Sequence, residues 1–141
     1  GGGLSCGIGS AIQALKPEVK VYAAEVETGA PLARSLAVGR PVRVDHTPSF
    51  VDGISGSRVF DEMWPLASNL LEGSLVATLD ETAAAVKLLA EKNHTIAEGA
   101  GAVSVAAALA EKTVEGKVAC VVSGGNIDRA RVVKILQGQT P

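Results

Sequence analysis

Three glycine-centred clusters in this sequence combine residue types that can do chemistry. The first, Gly1-Gly2-Gly3-Leu4-Ser5-Cys6-Gly7-Ile8-Gly9, feeds an apolar, helix-forming stretch. Consecutive glycines let several backbone N–H groups point into one concavity, and a helix start adds partial positive charge. A phosphate is the natural occupant, and a tight packing turn is the alternative. No Gly-Lys-Ser/Thr follows, and the GxGxxG spacing is met only loosely with no strand before it, so neither a Walker loop nor a dinucleotide fingerprint fits. The second cluster, Ser123-Gly124-Gly125-Asn126, follows the apolar run Val118–Val122. Its serine can exchange a hydrogen bond with a ring nitrogen while the glycines let a flat ligand lie against backbone. The same residues also read as a strand-to-helix turn with Asn126 as N-cap. In the third, Glu98-Gly99-Ala100-Gly101-Ala102, a carboxylate precedes small residues at a helix start, where it can equally cap its own helix.

The elements that must position these clusters alternate between helix and strand. A helix over 7–15 stops before Pro17, and the β-prone run 19–26 suits a strand covered on both faces. Pro31 opens a helix over 31–38 and Gly39 stops it. A long irregular stretch, 40–56, follows, of the kind that is commonly functional in compact domains. Residues 57–71 read as a helix that Pro65 must kink or restart, and 74–79 as a short strand. Asp80 then caps an amphipathic helix carrying Val86, Leu88 and Leu89 on its apolar side. Thr95–Glu98 is extended, an alanine-rich helix covers 100–111, Val118–Val122 is a fully apolar strand, and a last helix spans 127–136. This alternation implies a mostly parallel sheet with helices on both faces, an α/β three-layer fold. In such sheets ligands gather at the carboxyl ends of the strands, which selects Glu25, Glu98 and Ser123.

Bulk composition narrows the function classes. The 141 residues amount to about one domain, and a net charge of −2 gives no cationic face for nucleic acid. No apolar run reaches the roughly 20 residues of a membrane span, and no basic start precedes an apolar stretch as in a signal peptide. Cys6 and Cys120 stand alone without CxxC or Cys/His spacing, which excludes a zinc framework and suits reduced thiols in the cytoplasm. His46 and His94 are isolated. Hydrophobic residues make up 47% but aromatics only 3%, so the core must be built from Ala, Val, Leu and Ile.

Taken in order, GGGL opening a helix, VYAAE, VDG in a long loop, AEGAG and VVSGGNID resemble the carboxyl-terminal part of fold-type II pyridoxal-phosphate (PLP) enzymes. The likeness is to the threonine dehydratase and serine racemase group, and it covers essentially all of the chain. The stretch Phe60-Asp61-Glu62-Met63-Trp64-Pro65 leans toward bacterial threonine/serine dehydratases. The resemblance implies the large cofactor domain of the tryptophan synthase β-like fold. It also implies β-elimination of a 3-hydroxy amino acid to a 2-oxo acid and ammonia. By the same resemblance, Gly1, Gly2, Gly3 and Leu4 match the loop whose amides hold the cofactor phosphate, and Ser123 with Gly124 matches the segment facing the pyridine nitrogen. Gly53 matches backbone lining the cofactor cleft, and Glu98 the acidic residue beside it. Glu25 matches a divalent-cation ligand of some relatives, with Gly29 as a carbonyl donor. The aspartate those relatives supply two residues after Gly29 is Pro31 here, which puts the cation in doubt.

The resemblance also sets an expectation about what residues 1–141 omit. The family's Schiff-base lysine lies in an amino-terminal segment with no counterpart here, together with the small domain. Lys16, Lys20, Lys87, Lys92, Lys112, Lys117 and Lys134 all suit exposed positions. The expectation is therefore one partial domain, a fragment inactive alone, with a sheet edge that self-association would cover. Two further readings stand beside it: a non-catalytic, self-associating α/β domain binding at most phosphate or PLP, and a member of the serine racemase or threonine synthase branch.

Overall fold

The computed structural model describes residues 1–110 and 116–141. Helix α1 spans Gly3–Leu15, four residues earlier than the sequence suggests. Gly2 takes the left-handed conformation (φ 92°), and its carbonyl accepts the Cys6 N–H at 2.9 Å, so the turn is complete before Gly7. Strand β1 (Tyr22–Val26) pairs in parallel with β2 (Gly73–Ala77), with Tyr22 opposite Gly73 and Val26 opposite Ala77. Between them lie α2 (Pro31–Val38), the irregular stretch, and α3 (Trp64–Leu70). After β2 come α4 (Leu79–Asn93), α5 (Gly99–Ala110) and α6 (Arg129–Leu136).

Strand alternation divides the core into two layers. Ala23 joins a cluster with Cys6, Leu32, Val59, Ala67 and Leu71, while Val26 joins Ala77 and the α4–α5 residues Ala85, Val86, Ala102, Val103 and Ala106. Neighbouring residues of a strand point to opposite faces, so the β1–β2 pair lies between an α1–α2–α3 layer and an α4–α5 layer. That is the α/β, three-layer arrangement expected from the sequence. The small side chains of α5 let it pack closely on α4 and on both strands.

Several local expectations change. The helix expected over 57–71 is confined to Trp64–Leu70, because Pro65 sits in its first turn, where a missing N–H costs nothing. Helix α4 is capped by Thr78, not Asp80: the Thr78 hydroxyl accepts the Glu81 N–H, and the Glu81 carboxylate accepts the Thr78 N–H at 2.7 Å. This capping box also ends β2 at Ala77. Asp80 instead accepts the Thr140 hydroxyl at 2.6 Å. Val118–Val122 is not a strand in this structure. Val118, Val121 and Val122 are 53%, 49% and 37% exposed, and among the described residues the run has no ladder to β1 or β2. Apolar β-branched residues favour a pleated surface, but a strand exists only with a neighbour to take its N–H and C=O groups. The α5 expectation ran to residue 111, which lies outside the described residues, as does Lys112.

Candidate functional site

The glycine-rich opening builds one end of the site. Helix α1 begins with no side-chain cap, so the N–H groups of its first turn have no acceptor within the helix. A Cβ added at Gly3 would meet no protein atom within 4 Å, and Leu4 is exposed. Gly1 lies on Phe60, where an added Cβ would come within 2.8 Å of Cε2. The surface at Gly3 is therefore open and carries unpaired N–H donors, with Phe60 against the neighbouring Gly1. That suits an anion such as phosphate.

The second end is formed by Gly53, Glu98, Ser123 and Gly124, which come together from three separate segments. The Glu98 N–H donates to the Gly124 carbonyl at 3.0 Å, and the Glu98 carboxylate accepts the Asn126 N–H at 3.0 Å. An added Cβ at Gly53 would stand 3.2 Å from Glu98 Oε1 and 2.8 Å from the Ala100 Cβ, and one at Gly124 would run into Glu98 Oε1. Gly101 faces the Gly124 backbone so closely that its Cβ would collide with the carbonyl oxygen, and Gly125 faces the Ile96 carbonyl. Ser123 is exposed beside this interlocked turn. Glu98 does not cap its own helix through its side chain, as one reading of the sequence allowed. It reaches across to Asn126.

One loop connects the two ends. Phe50 and Val51 are buried in the α4–α5 layer and anchor it. Gly53 touches Glu98, while Gly56 approaches the Gly1 nitrogen, 3.9 Å from an added Cβ. Asp52 also pairs with Arg131 of α6 at 3.0 Å. Sequence reasoning missed Phe60, Gly56 and Arg131, since no local pattern marks a residue whose role comes from a distant neighbour. The one available signal was the paired glycines of the 52–58 loop.

Glu25 has another task. Its two carboxylate oxygens accept the Leu32 N–H at 2.9 Å and the Ala33 N–H at 2.7 Å, capping α2 from the neighbouring strand, and Ser74 Oγ donates to the same group at 2.7 Å. With three donors on it, this carboxylate serves as a helix cap. Gly29 packs against His46, where an added Cβ would meet Cδ2 at 2.9 Å. Among the described residues no three His, Cys, Asp or Glu side chains gather to hold a metal ion, and no helix is long and apolar enough to cross a membrane. The described lysines sit on the outside of the molecule: Lys20 pairs with Glu72 at 3.0 Å and Lys87 with Glu91 at 3.9 Å, while Lys16, Lys92, Lys117 and Lys134 are exposed. Burial pushes the Cys6 thiol above its ordinary range, partly offset by the nearby amino terminus, so Cys6 is a core residue rather than a nucleophile.

Comparison with known proteins identifies the family. The model of the family described as pyridoxal-phosphate dependent enzyme matches residues 1–124, which hold both ends of the site. The chain belongs to that family. Within it, the chain is 39% identical to the L-threonine ammonia-lyase of Thermotoga maritima over 137 residues, covering 96% of this chain and 34% of that protein. The crystal structure of a T.th. threonine deaminase superimposes with a TM-score of 0.86 at 30% identity, over 91% of this chain and 44% of that one. Maize serine racemase gives the same TM-score at 28% identity, over 97% of this chain and 45% of that one. The chain thus spans between a third and a half of the length of these relatives.

Proposed function

We propose that residues 1–141 form the carboxyl-terminal share of the cofactor domain of a PLP-dependent threonine/serine ammonia-lyase. In this reading the whole enzyme converts a 3-hydroxy amino acid to a 2-oxo acid and ammonia. The observation that carries the reading is the pairing of an uncapped, open helix start at Gly2–Leu4 with an exposed serine on the rigid Ser123–Asn126 turn, joined by one loop. A phosphate at one end and a ring nitrogen at the other are the chemistry these two ends fit. The relatives' names support the substrate class.

Each residue then has a definable task. The backbone N–H groups that open α1 bind the phosphate, and the helix start adds favourable charge. Gly2, in the left-handed conformation, turns the chain into the helix, and Phe60 packs against Gly1. Ser123 gives the ring nitrogen a neutral hydroxyl, which holds its position without forcing a positive charge onto it. When bound, PLP supplies the electron-withdrawing ring that stabilises negative charge at the amino acid's α-carbon. A ring left weakly charged draws fewer electrons away from the α-carbon, which leaves the electron pair there to expel the β-hydroxyl rather than enter side reactions. The described lysines are all peripheral, so the contribution of the described residues is binding and orientation rather than the nucleophile. The exposed Leu109, Val118 and Val121 support an oligomeric enzyme, here read as cytoplasmic, in which such side chains are covered.

The test is ligand-dependent thermal stability. PLP and inorganic phosphate are expected to raise the melting temperature of the chain, whereas pyridoxal, which lacks the phosphate, does not. Gly3→Asp places a carboxylate where helix starts favour one, in open space, so folding is retained while phosphate affinity falls about tenfold or more. Equal stabilisation by pyridoxal and PLP, or an unaffected Gly3→Asp variant, would count against the phosphate cup.

A further inference from the structure

Glu98 makes two bonds to one turn from opposite chemical roles. Its backbone N–H donates to the Gly124 carbonyl, and its carboxylate accepts the Asn126 N–H, both at 3.0 Å. Together these bonds bracket Gly124–Asn126 and fix the direction in which the chain leaves Ser123. A charged acceptor on a backbone N–H is roughly twice as strong as a neutral pair, so the side-chain bond contributes much of the rigidity. The carboxylate reaches the turn because Gly124 carries no Cβ, which would run into Oε1; at Gly53 an added Cβ would meet the Ala100 Cβ first, at 2.8 Å, and Oε1 only at 3.2 Å. Gly101 and Gly125 close the same cluster against the Gly124 backbone and the Ile96 carbonyl.

We infer that Glu98 is the positioning residue for Ser123, and that Gly124 is a glycine in order to admit the Glu98 carboxylate rather than to make room for a ligand. Glu98 acts through the backbone of the turn, and its effect is confined to the ring end of the site. The inference rests on the reading of Ser123 as the partner of the ring nitrogen.

Titration of the chain with two probes, PLP and inorganic phosphate, combined with hydrogen exchange at the Asn126 amide, separates the possibilities. Glu98→Ala is expected to weaken PLP binding about tenfold or more, the scale of a lost charge-assisted bond, while inorganic phosphate affinity stays within about twofold. The Asn126 amide then exchanges faster by a similar factor. Glu98→Gln, which keeps an acceptor oxygen, restores most of the PLP affinity. Gly124→Ala is the second variant: its methyl first meets Oε1, Cδ and Cγ of Glu98, a side chain that can rotate aside, so the fold is kept, the carboxylate is displaced and Asn126 exchange rises as in Glu98→Ala. Unchanged Asn126 exchange in Glu98→Ala and Gly124→Ala overturns the clamp, as does a parallel fall in PLP and phosphate affinity. Should the unmodified chain take phosphate but not PLP, the functional reading fails, and the exchange data still decide the clamp.

Discussion

Two glycine-rich turns of similar appearance are built for opposite purposes. At the start of α1, an added Cβ at Gly3 meets empty space, and the donors of the first turn have no acceptor within the helix. At the 123–126 turn, added Cβ atoms at Gly101, Gly124 and Gly125 all collide with protein, either the Glu98 carboxylate or backbone carbonyls. In the proposed reading the first turn leaves space over Gly3 for a ligand. The second lets three segments of the protein approach one another, and in the proposed reading it offers a ligand only Ser123. A run of glycines does not distinguish these cases, because the absence of a side chain permits both.

The contrast can be broken most strongly at Gly101. Gly101→Ala drives a methyl into the Gly124 backbone, which cannot move aside as a flexible side chain can, and is expected to cost about 3 kcal/mol in urea unfolding. A wild-type midpoint would mean the second turn is as loose as the first. Gly2→Ala comes next. At φ 92° an L-residue is strained by about 1 kcal/mol, so the variant should unfold at slightly lower urea and bind phosphate more weakly, with the Glu98 end undisturbed. The smallest effect lies outside both turns. Glu72, by accepting a hydrogen bond from Lys20 and by its charge, holds that amine above the ordinary lysine value of 10.5. A raised amine pKa means the pair's contribution is complete below 10.5 and fades as pH climbs through the folded-state value. Lys20→Met should therefore match the parent's stability above that range and differ only slightly below it, in the same way for every glycine variant.

How far the sequence could be read follows from where each signal resides. Helix α2 was fully legible, since Pro31 at its first turn and Gly39 in the left-handed conformation at its end are local devices. The parallel β1–β2 pair and the layering were legible from the alternation of apolar runs. The start of α4 was misassigned because Thr78 and Asp80 both suit a cap, and only the reciprocal bond from Glu81 decides between them. Val118–Val122 has every residue preference of a strand, yet its state depends on pairing that no local pattern encodes. At the candidate site, Gly53, Glu98, Ser123 and Gly124 were each singled out from the sequence, and the structure gathers them at one turn. What the sequence could not show was the direction of Glu98, which turns to Asn126 rather than to its own helix, because N–H donors of both kinds lie within reach of a carboxylate.

The central claim is that the open turn and the interlocked turn are the two ends of one PLP site. Amide hydrogen exchange of the whole chain, with and without saturating PLP, tests it most directly. The account predicts that PLP slows exchange at both the Gly3–Ser5 amides and the Ser123–Asn126 segment, with inorganic phosphate protecting only the first. Protection at one end alone by PLP, or at neither, would contradict it.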